Sequence, residues 1–307
     1  MPGPTAPLPD HLDEAVERSA APDAVRAAVH RLLATHADLA GRLEDDDLGA
    51  VLVGVLGASR SLTRLLEHDA AALDVLGDLD APIDLPATSV ADLVHAKHLE
   101  YLRIAARDLC GRDALEATGA ALAALGTAVL RSAHDLAVAT ESTNDAAGRL
   151  SIVGMGKLGG AELNYSSDID IVFVGDGDMD PLNRRARRVM EIAGQCFRVD
   201  ANLRPEGRNG PLVRTLESFE AYWERWAEPW EFQALLKAVP VAGDAELGDR
   251  FAATSSRTLW THPFGADDLR SLRDMKARAE QEVARKGLTD REVKRGRGGI
   301  RDIEFTV

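Results

Sequence analysis

The spacing of apolar positions divides the chain in two. From His11 to about Glu141 the sequence is rich in Ala and Leu and reads as consecutive helices. Val25, Val29, Leu32, Leu33 and Leu39 fall near helical spacing, and Leu48 to Leu66 repeats the pattern. Asp80-Ala-Pro82 and Leu85-Pro86 mark a turn. Ser89, with Asp92 three residues on, resembles a capping box before Leu93 and opens a helix running to about Cys110. A further helix is predicted from about Asp113 to Thr140, ending in a polar linker, Ser142 to Gly148. The pattern then changes period. Leu150 to Val153 is a short apolar run that reads as a buried strand, and a second such run surrounds Ile169 and Ile171. After it come a turn-rich acidic loop (Gly175 to Pro181), a helix (Leu182 to Cys196) and a strand (Phe197 to Leu203). An aromatic helical stretch (Thr215 to Leu236) and a charged helix (Leu269 to Lys286) follow, and a basic, Gly-rich turn from Val293 enters an apolar run at Ile300. The expected organisation is a mobile, Pro-rich N-terminus (1–10), a helical region (11–148) and a mixed domain of strands and helices with a helical extension (149–307).

The join between the two predicted strands carries the candidate chemistry. Gly154, Gly156, Gly159 and Gly160 lie within seven residues. Glycines here let backbone N–H groups close on a phosphate, and Lys157 adds a mobile positive charge. Asp168 and Asp170 flank Ile169. In a strand the two carboxylates share one face while Ile169 and Ile171 share the other. Paired carboxylates repel, which a divalent cation between them relieves. Two other readings of the glycines compete with this one. Gly154 to Gly159 matches the dinucleotide fingerprint, but that motif needs a long helix and an acid about 20 residues on, whereas Asp168 and Asp170 stand 9 and 11 residues after Gly159. A P-loop would end in Gly-Lys-Ser/Thr, but Leu158 follows Lys157. Strand, Gly-rich turn, short connection and a strand bearing Asp-x-Asp is the layout of the nucleotidyltransferase superfamily. The fold class expected is therefore α+β, a helical region followed by a mixed, polymerase beta-like sheet with helices.

The wording G-M-G-K-L-G-G-x-E-L-N-Y-S-S-D-I-D closely resembles the glutamine synthetase adenylyltransferase family, whose members are also called adenylyl-removing enzymes. R-V-D-x-x-L-R-P-E-G from Arg198, W-E-x-x-A-L-L-K-A-x-P-V from Trp230 and G-x-G-G-I-R-D-I-E-F from Gly296 extend the resemblance over roughly residues 150–307. It implies a third carboxylate at Asp200, completing a set with Asp168 and Asp170 for Mg2+ or Mn2+. It also implies nucleotide and phosphate contacts at Gly156, Lys157, Gly159, Gly160, Ser167, Arg204 and Arg208, with Glu231 and Lys237 near the site. Arg204 is preferred to Arg208 as a phosphate ligand; Arg208 is equally well an exposed loop charge. Full-length members resemble two such modules in tandem, one removing AMP from glutamine synthetase and one adding it. The words around Asp168 look like the first. The implied reaction is phosphorolysis of adenylyl-tyrosine to ADP and tyrosine. The alternatives are the forward transfer from ATP and a docking module without activity. The implied partners are glutamine synthetase, phosphate with ADP or ATP, and a PII-type signal protein.

Composition narrows this further. Of 307 residues, 36 are Lys or Arg and 50 are Asp or Glu, a net charge of -14. Residues 1–148 hold 11 of the bases and 24 of the acids (-13), leaving 25 and 26 (-1) for the rest. So acidic a half does not bind nucleic acid through counterion release. No apolar run approaches the ~18 residues of a membrane span, and the first residues lack the pattern of an export signal. A cytoplasmic location is expected. Cys110 and Cys196 read as free core thiols. His95 and His98 form an i, i+3 pair without an evident third ligand, and solvated helix surface is the preferred reading. The aromatic stripe Phe219, Tyr222, Trp223, Trp226, Trp230 and Phe232 reads as core. Arg184, Arg185, Arg187 and Arg188 read as a solvated face, or as contacts for a phosphate or an acidic partner.

Overall fold

The computed structural model describes residues 8–82, 84–85, 88–141 and 148–304. The expected polar linker falls mostly outside these, as do most of the N-terminal stretch and Phe305. Eight helices come first: α1 (Asp10–Glu17), α2 (Pro22–Thr35), α3 (Leu39–Arg42), α4 (Asp46–Ala58), α5 (Arg60–His68), α6 (Ala70–Gly77), α7 (Val90–Leu109) and α8 (Leu115–Ala139). The run expected from Leu48 to Leu66 is two helices. Ser59 leaves helical geometry and its Oγ accepts the N–H of Leu62, capping α5 as α4 ends. Ser89 caps α7 as expected, its Oγ accepting the Asp92 N–H at 3.1 Å. Cys110 ends α7 and is exposed, correcting the core reading, and Cys196 is only partly buried; both thiols are free. His95 bonds the Asp69 carboxylate at 2.6 Å.

The remainder runs β1 (Gly148–Met155), α9 (Gly156–Gly159), β2 (Ile169–Gly177), α10 (Met179–Ala193), β3 (Val199–Asp200), β4 (Val213–Arg214), α11 (Leu216–Arg225), α12 (Pro229–Leu235), β5 (Val239–Gly243), α13 (Ala245–Thr261), α14 (Ala266–Arg285) and α15 (Ile300–Glu304). The acidic loop expected at Gly175–Pro181 is nearly absent. β2 continues to Gly177 and Asp178 caps α10, its side chain accepting the Asp180 N–H at 3.0 Å. Pro181 is tolerated there because a first-turn residue needs no intrahelical N–H bond. The strand expected over Phe197–Leu203 shrinks to Val199–Asp200. The aromatic stretch breaks at Trp226, and Pro229 opens a new helix.

β1 lies between β2 and β5, antiparallel to both, while β3 and β4 pair with β2 in parallel. Alternation sends Leu150, Ile152, Ile169, Ile171 and Phe173 to one face, in a core with Leu122, Leu125 and Val129 of α8 and Leu182 and Val189 of α10. Val153, Met155, Val172 and Val174 face the other way, onto Phe219, Trp223, Phe232 and Phe251. The aromatic stripe is therefore core, with ring centroids 5.2–5.6 Å apart among Phe219, Trp223 and Phe251; Trp226 alone of the stripe is largely exposed, at 73%. A separate core, Leu12 to Ala106, is built within the first seven helices. Because α8 belongs to the core of the sheet, the helical region is also a structural layer of the catalytic half.

Candidate active site

The sheet brings the carboxylates together by register. Asp170 pairs with Asp200 across the parallel β2–β3 ladder and with Met155 across the antiparallel β1–β2 ladder. Neighbouring strands lie about 4.8 Å apart, so one row across the sheet contains Asp200, Asp170 and the start of the glycine turn. Ile169 and Ile171 are fully buried, which leaves Asp170 on the opposite face, as the alternation requires. Asp168 sits one residue ahead of the strand. Burial pushes the Asp170 carboxyl up to about 6, the charges of Asp200 and Asp168 push in the same direction, and Lys294 and Lys157 oppose them.

These groups suit a divalent cation. One of the Asp168 oxygens, Oδ1, is buried and accepts no hydrogen bond. Arg198 Nε lies 2.5 Å from that oxygen but off the hydrogen-bonding direction, so the contact is an ion pair only. Asp200 Oδ1 accepts the N–H of Asn202 at 2.7 Å. Among the described residues no three Asp, Glu, His or Cys side chains converge closely enough to ligate one ion as they stand. An ion would therefore have to draw Asp168 from Arg198, and its charge would reverse the repulsion felt by Asp170.

The glycines divide by what they touch. Gly156 has φ +52, and a Cβ on it would lie 2.7 Å from Asp170 Oδ2. Only a residue without a side chain lets the turn come this near the carboxylate. Gly159 and Gly160 face Lys237 instead. A Cβ on Gly159 would fall 1.7 Å from the Lys237 carbonyl oxygen, and one on Gly160 3.0 Å from the Lys237 side chain. The Gly160 N–H bonds to Gly156 O at 3.0 Å, closing the short helix α9. Lys237, ion-paired with Glu162, thus sits against the glycine turn. Glu231 accepts the Tyr222 hydroxyl at 2.9 Å, and burial holds its carboxyl above the ordinary range.

Arg204 has a structural engagement that its position in the sequence does not reveal. Its guanidinium donates to the carbonyls of Ala201 (2.7 Å), Gly210 (3.2 Å) and Arg208 (3.4 Å), tying the turn after β3. Arg208 is exposed, and with Asp168, Asp200, Arg184, Arg187 and Arg198 it lines a cleft of about 1090 Å³. The remaining α10 arginines take acidic partners, Arg185 with Glu141 and Arg188 with Glu191.

Asp168 also depends on its loop. Ser167 Oγ donates to the Asp168 carbonyl at 2.9 Å, and Arg198 donates to Ser166 O at 3.2 Å. From the helical region, Asp108 accepts the Tyr165 hydroxyl at 2.8 Å, while Tyr101 donates to Tyr165 O at 3.3 Å and meets its ring edge-on. Tyr165, Arg198 and Lys294 carry no site role in the sequence reading; the only sequence signal was that Tyr165 and Arg198 lie in family-like words and Lys294 in the basic turn from Val293. Tyr165→Phe removes a bond to a charged acceptor, and is expected to cost about 1–2 kcal/mol of stability and to weaken Mn2+ binding by loosening Asp168. Calorimetry with Mn2+ checks this; full Mn2+ affinity at lowered stability would show that the clamp does not reach Asp168.

A profile of the family described as glutamate-ammonia ligase adenylyltransferase matches residues 79–254, a span containing all five strands and every residue of the carboxylate row. The chain belongs to that family. Glutamate-ammonia ligase is glutamine synthetase, so the family agrees with the resemblance read from the motifs, and the fold is of the nucleotidyltransferase type. Among relatives of the glutamate-ammonia ligase adenylyltransferase family, a bifunctional glutamine synthetase adenylyltransferase/adenylyl-removing enzyme of Streptomyces coelicolor is 40% identical, over 96% of this chain and 33% of the relative. The protein of the same name from Mycobacterium tuberculosis is 42% identical over 72% of this chain and 24% of its own length. The chain thus spans about a third or less of these relatives. Residues 273–307 match a second profile, described as GlnD PII-uridylyltransferase. Among the described residues no helix is long and apolar enough to cross a membrane.

Proposed function

We propose that this chain is the adenylyl-removing module of its family, transferring AMP from a tyrosine of glutamine synthetase to inorganic phosphate and so forming ADP and free tyrosine. The observation that carries a nucleotidyltransferase reading is the row of Met155, Asp170 and Asp200 across three strands, with the Gly156 turn against Asp170. The direction rests on the wording E-L-N-Y-S-S-D-I-D around Asp168. A phosphate oxygen attacks the phosphorus of adenylyl-tyrosine, the bond from phosphorus to the tyrosyl oxygen breaks, and the proton of the hydrogenphosphate ends on the tyrosine hydroxyl. Bound Mg2+ or Mn2+, held by Asp168, Asp170 and Asp200, would supply Lewis-acid stabilisation of the phosphoryl oxygens and the departing oxygen. Lys157 lies close enough to Asp170 to lower its proton affinity, and there it neutralises charge growing on the phosphoryl group. The nucleophile is already anionic at neutral pH, so the chemistry needs no strong general base. The catalytic half accordingly has only one histidine, His262, and that residue stacks on Phe232 at 3.9 Å. A PII-type signal protein is the proposed regulator.

Labelled inorganic phosphate tests the direction. With adenylylated glutamine synthetase and Mg2+, the label is expected in the β-position of ADP, at a rate that saturates with phosphate. Unlabelled AMP would indicate hydrolysis. Pyrophosphate and adenylylated enzyme formed from ATP would indicate the forward transferase. No turnover in either direction would leave a docking module.

A further inference from the structure

The arginines beside Asp168 and Asp200 form a sorted set. Arg184 and Arg187 are one turn apart on α10, Arg198 precedes β3, and Arg204 and Arg208 follow it; all five line the same cleft, together with Asp168, Asp180 and Asp200. The other two α10 arginines do not line it, and both have an acidic partner, Glu141 for Arg185 and Glu191 for Arg188. Arg187 and Arg208, by contrast, make no ion pair and no side-chain hydrogen bond among the described residues. Both are exposed, and they reach the cleft from different elements. Within the cleft Arg198 is paired with Asp168 and Arg204 is tied to backbone carbonyls, so Arg187 and Arg208 are guanidiniums whose donors are available to an anion entering it. Asp200 also lines this cleft, whereas neither Lys157 nor any glycine of the Gly156 turn does. The cleft therefore offers an anion position separate from that turn.

We propose that Arg187 and Arg208 bind a phosphoryl dianion beside Asp200, the attacking phosphate in the reading above and the terminal phosphate of the nucleotide in the reverse direction. Guanidinium forks match phosphate oxygens in pairs. The cleft, about 1090 Å³, admits a nucleotide tail as well as free phosphate. This deepens the proposed function and rests on it for the identity of the ligand.

The test uses the whole chain with Mg2+, and the variants Arg187→Gln, Arg208→Gln and the double change. Both side chains are exposed, so Tm is expected to stay within experimental error. Loss of a charge-assisted contact is expected to raise the KM for phosphate about ten-fold per variant. The KM for adenylylated glutamine synthetase should hold, and Arg188→Gln should leave both constants unchanged. Calorimetry separates the ligand sources: weakened inorganic phosphate marks the free anion, and weakened ADP with unchanged AMP marks the terminal phosphate. An unaltered phosphate KM together with unaltered phosphate and ADP affinity would overturn the assignment. A rise confined to the KM for glutamine synthetase would overturn it in favour of protein docking. Calorimetry needs no turnover. If the wild type binds phosphate or ADP and the double variant does not, the site stands even where labelled phosphate shows that the phosphorolysis reading has failed.

Discussion

Asp170→Asn is expected to lower turnover by at least about a thousand-fold while leaving the metal-free fold as stable as before, or more so. The rate loss follows from removing the central carboxylate of the row, since metal stabilisation of a phosphoryl transition state is worth several kcal/mol. The stability effect follows from the folded state raising the Asp170 carboxyl from an ordinary 3.8 to about 6, through burial first and then Asp200 and Asp168. A group with a raised pKa binds more protons folded than unfolded between those values. Its contribution is fully present below pH 4 and is lost as pH rises to about 6, a loss of about 1–3 kcal/mol once solvent screening of this partly exposed group is counted. The carboxamide of the variant cannot ionise and avoids that loss, so in EDTA at pH 7 the variant should melt at or above the wild type, with the difference vanishing toward pH 4. Mg2+ should raise the Tm of the wild type and not that of the variant. Thermal melts at both pH values with and without Mg2+, alongside the labelled-phosphate assay, check each part. A near-normal rate in Asp170→Asn would remove this residue from the metal site.

Gly159→Val should be the most disruptive single change in the glycine turn. From the sequence, its cost would be a branched side chain in the path of a phosphate, or a φ that only glycine adopts. The structure gives a different cause: positive φ belongs to Gly156, whereas at Gly159 an added Cβ meets the Lys237 carbonyl oxygen at 1.7 Å and Gly154 O at 2.7 Å. Backbone on both sides cannot yield as a flexible side chain could, and overpacking of this kind costs about 1–3 kcal/mol or more. Lys237 leads into β5, so the β1–β5 edge should loosen and ADP affinity should fall with it. All four tryptophans lie between Trp223 and Trp260. Their fluorescence should therefore report an earlier denaturant midpoint, while hydrogen-exchange protection of amides in α1–α6, which belong to a separate core, changes less. Wild-type ADP affinity and midpoint in Gly159→Val would show that the turn can relax away from Lys237.

Local pattern alone determined much of this protein. Helical spacing placed α2, α7 and α8, and the alternation around Ile169 and Ile171 set Asp170 on the face opposite them, while Asp168 precedes the strand. Ser89 announced the start of α7 because a capping hydroxyl acts only three residues away. These features involve neighbours in the chain, so they are written in consecutive residues. The strands β3, β4 and β5 and the helix α13 were shortened or missed for the converse reason. Val199–Asp200 and Val213–Arg214 are too short to show a period, and Pro240 within Val239–Gly243 argues against a strand unless that strand lies at an edge, where this one does. The site divides in the same way. The carboxylates proposed for it lie in words that the sequence already displays. Only tertiary packing decided that Gly159 is held against Lys237, that Arg204 ties its own turn, and that Tyr165 is bonded by Asp108, 57 residues away. The sorting of the α10 arginines was likewise decided by packing, because it depends on which face of the helix meets Glu141 and which meets the cleft beside Asp200. Such pairings join segments that close on one another only when the sheet and α8 share a core, so no spacing within either segment records them.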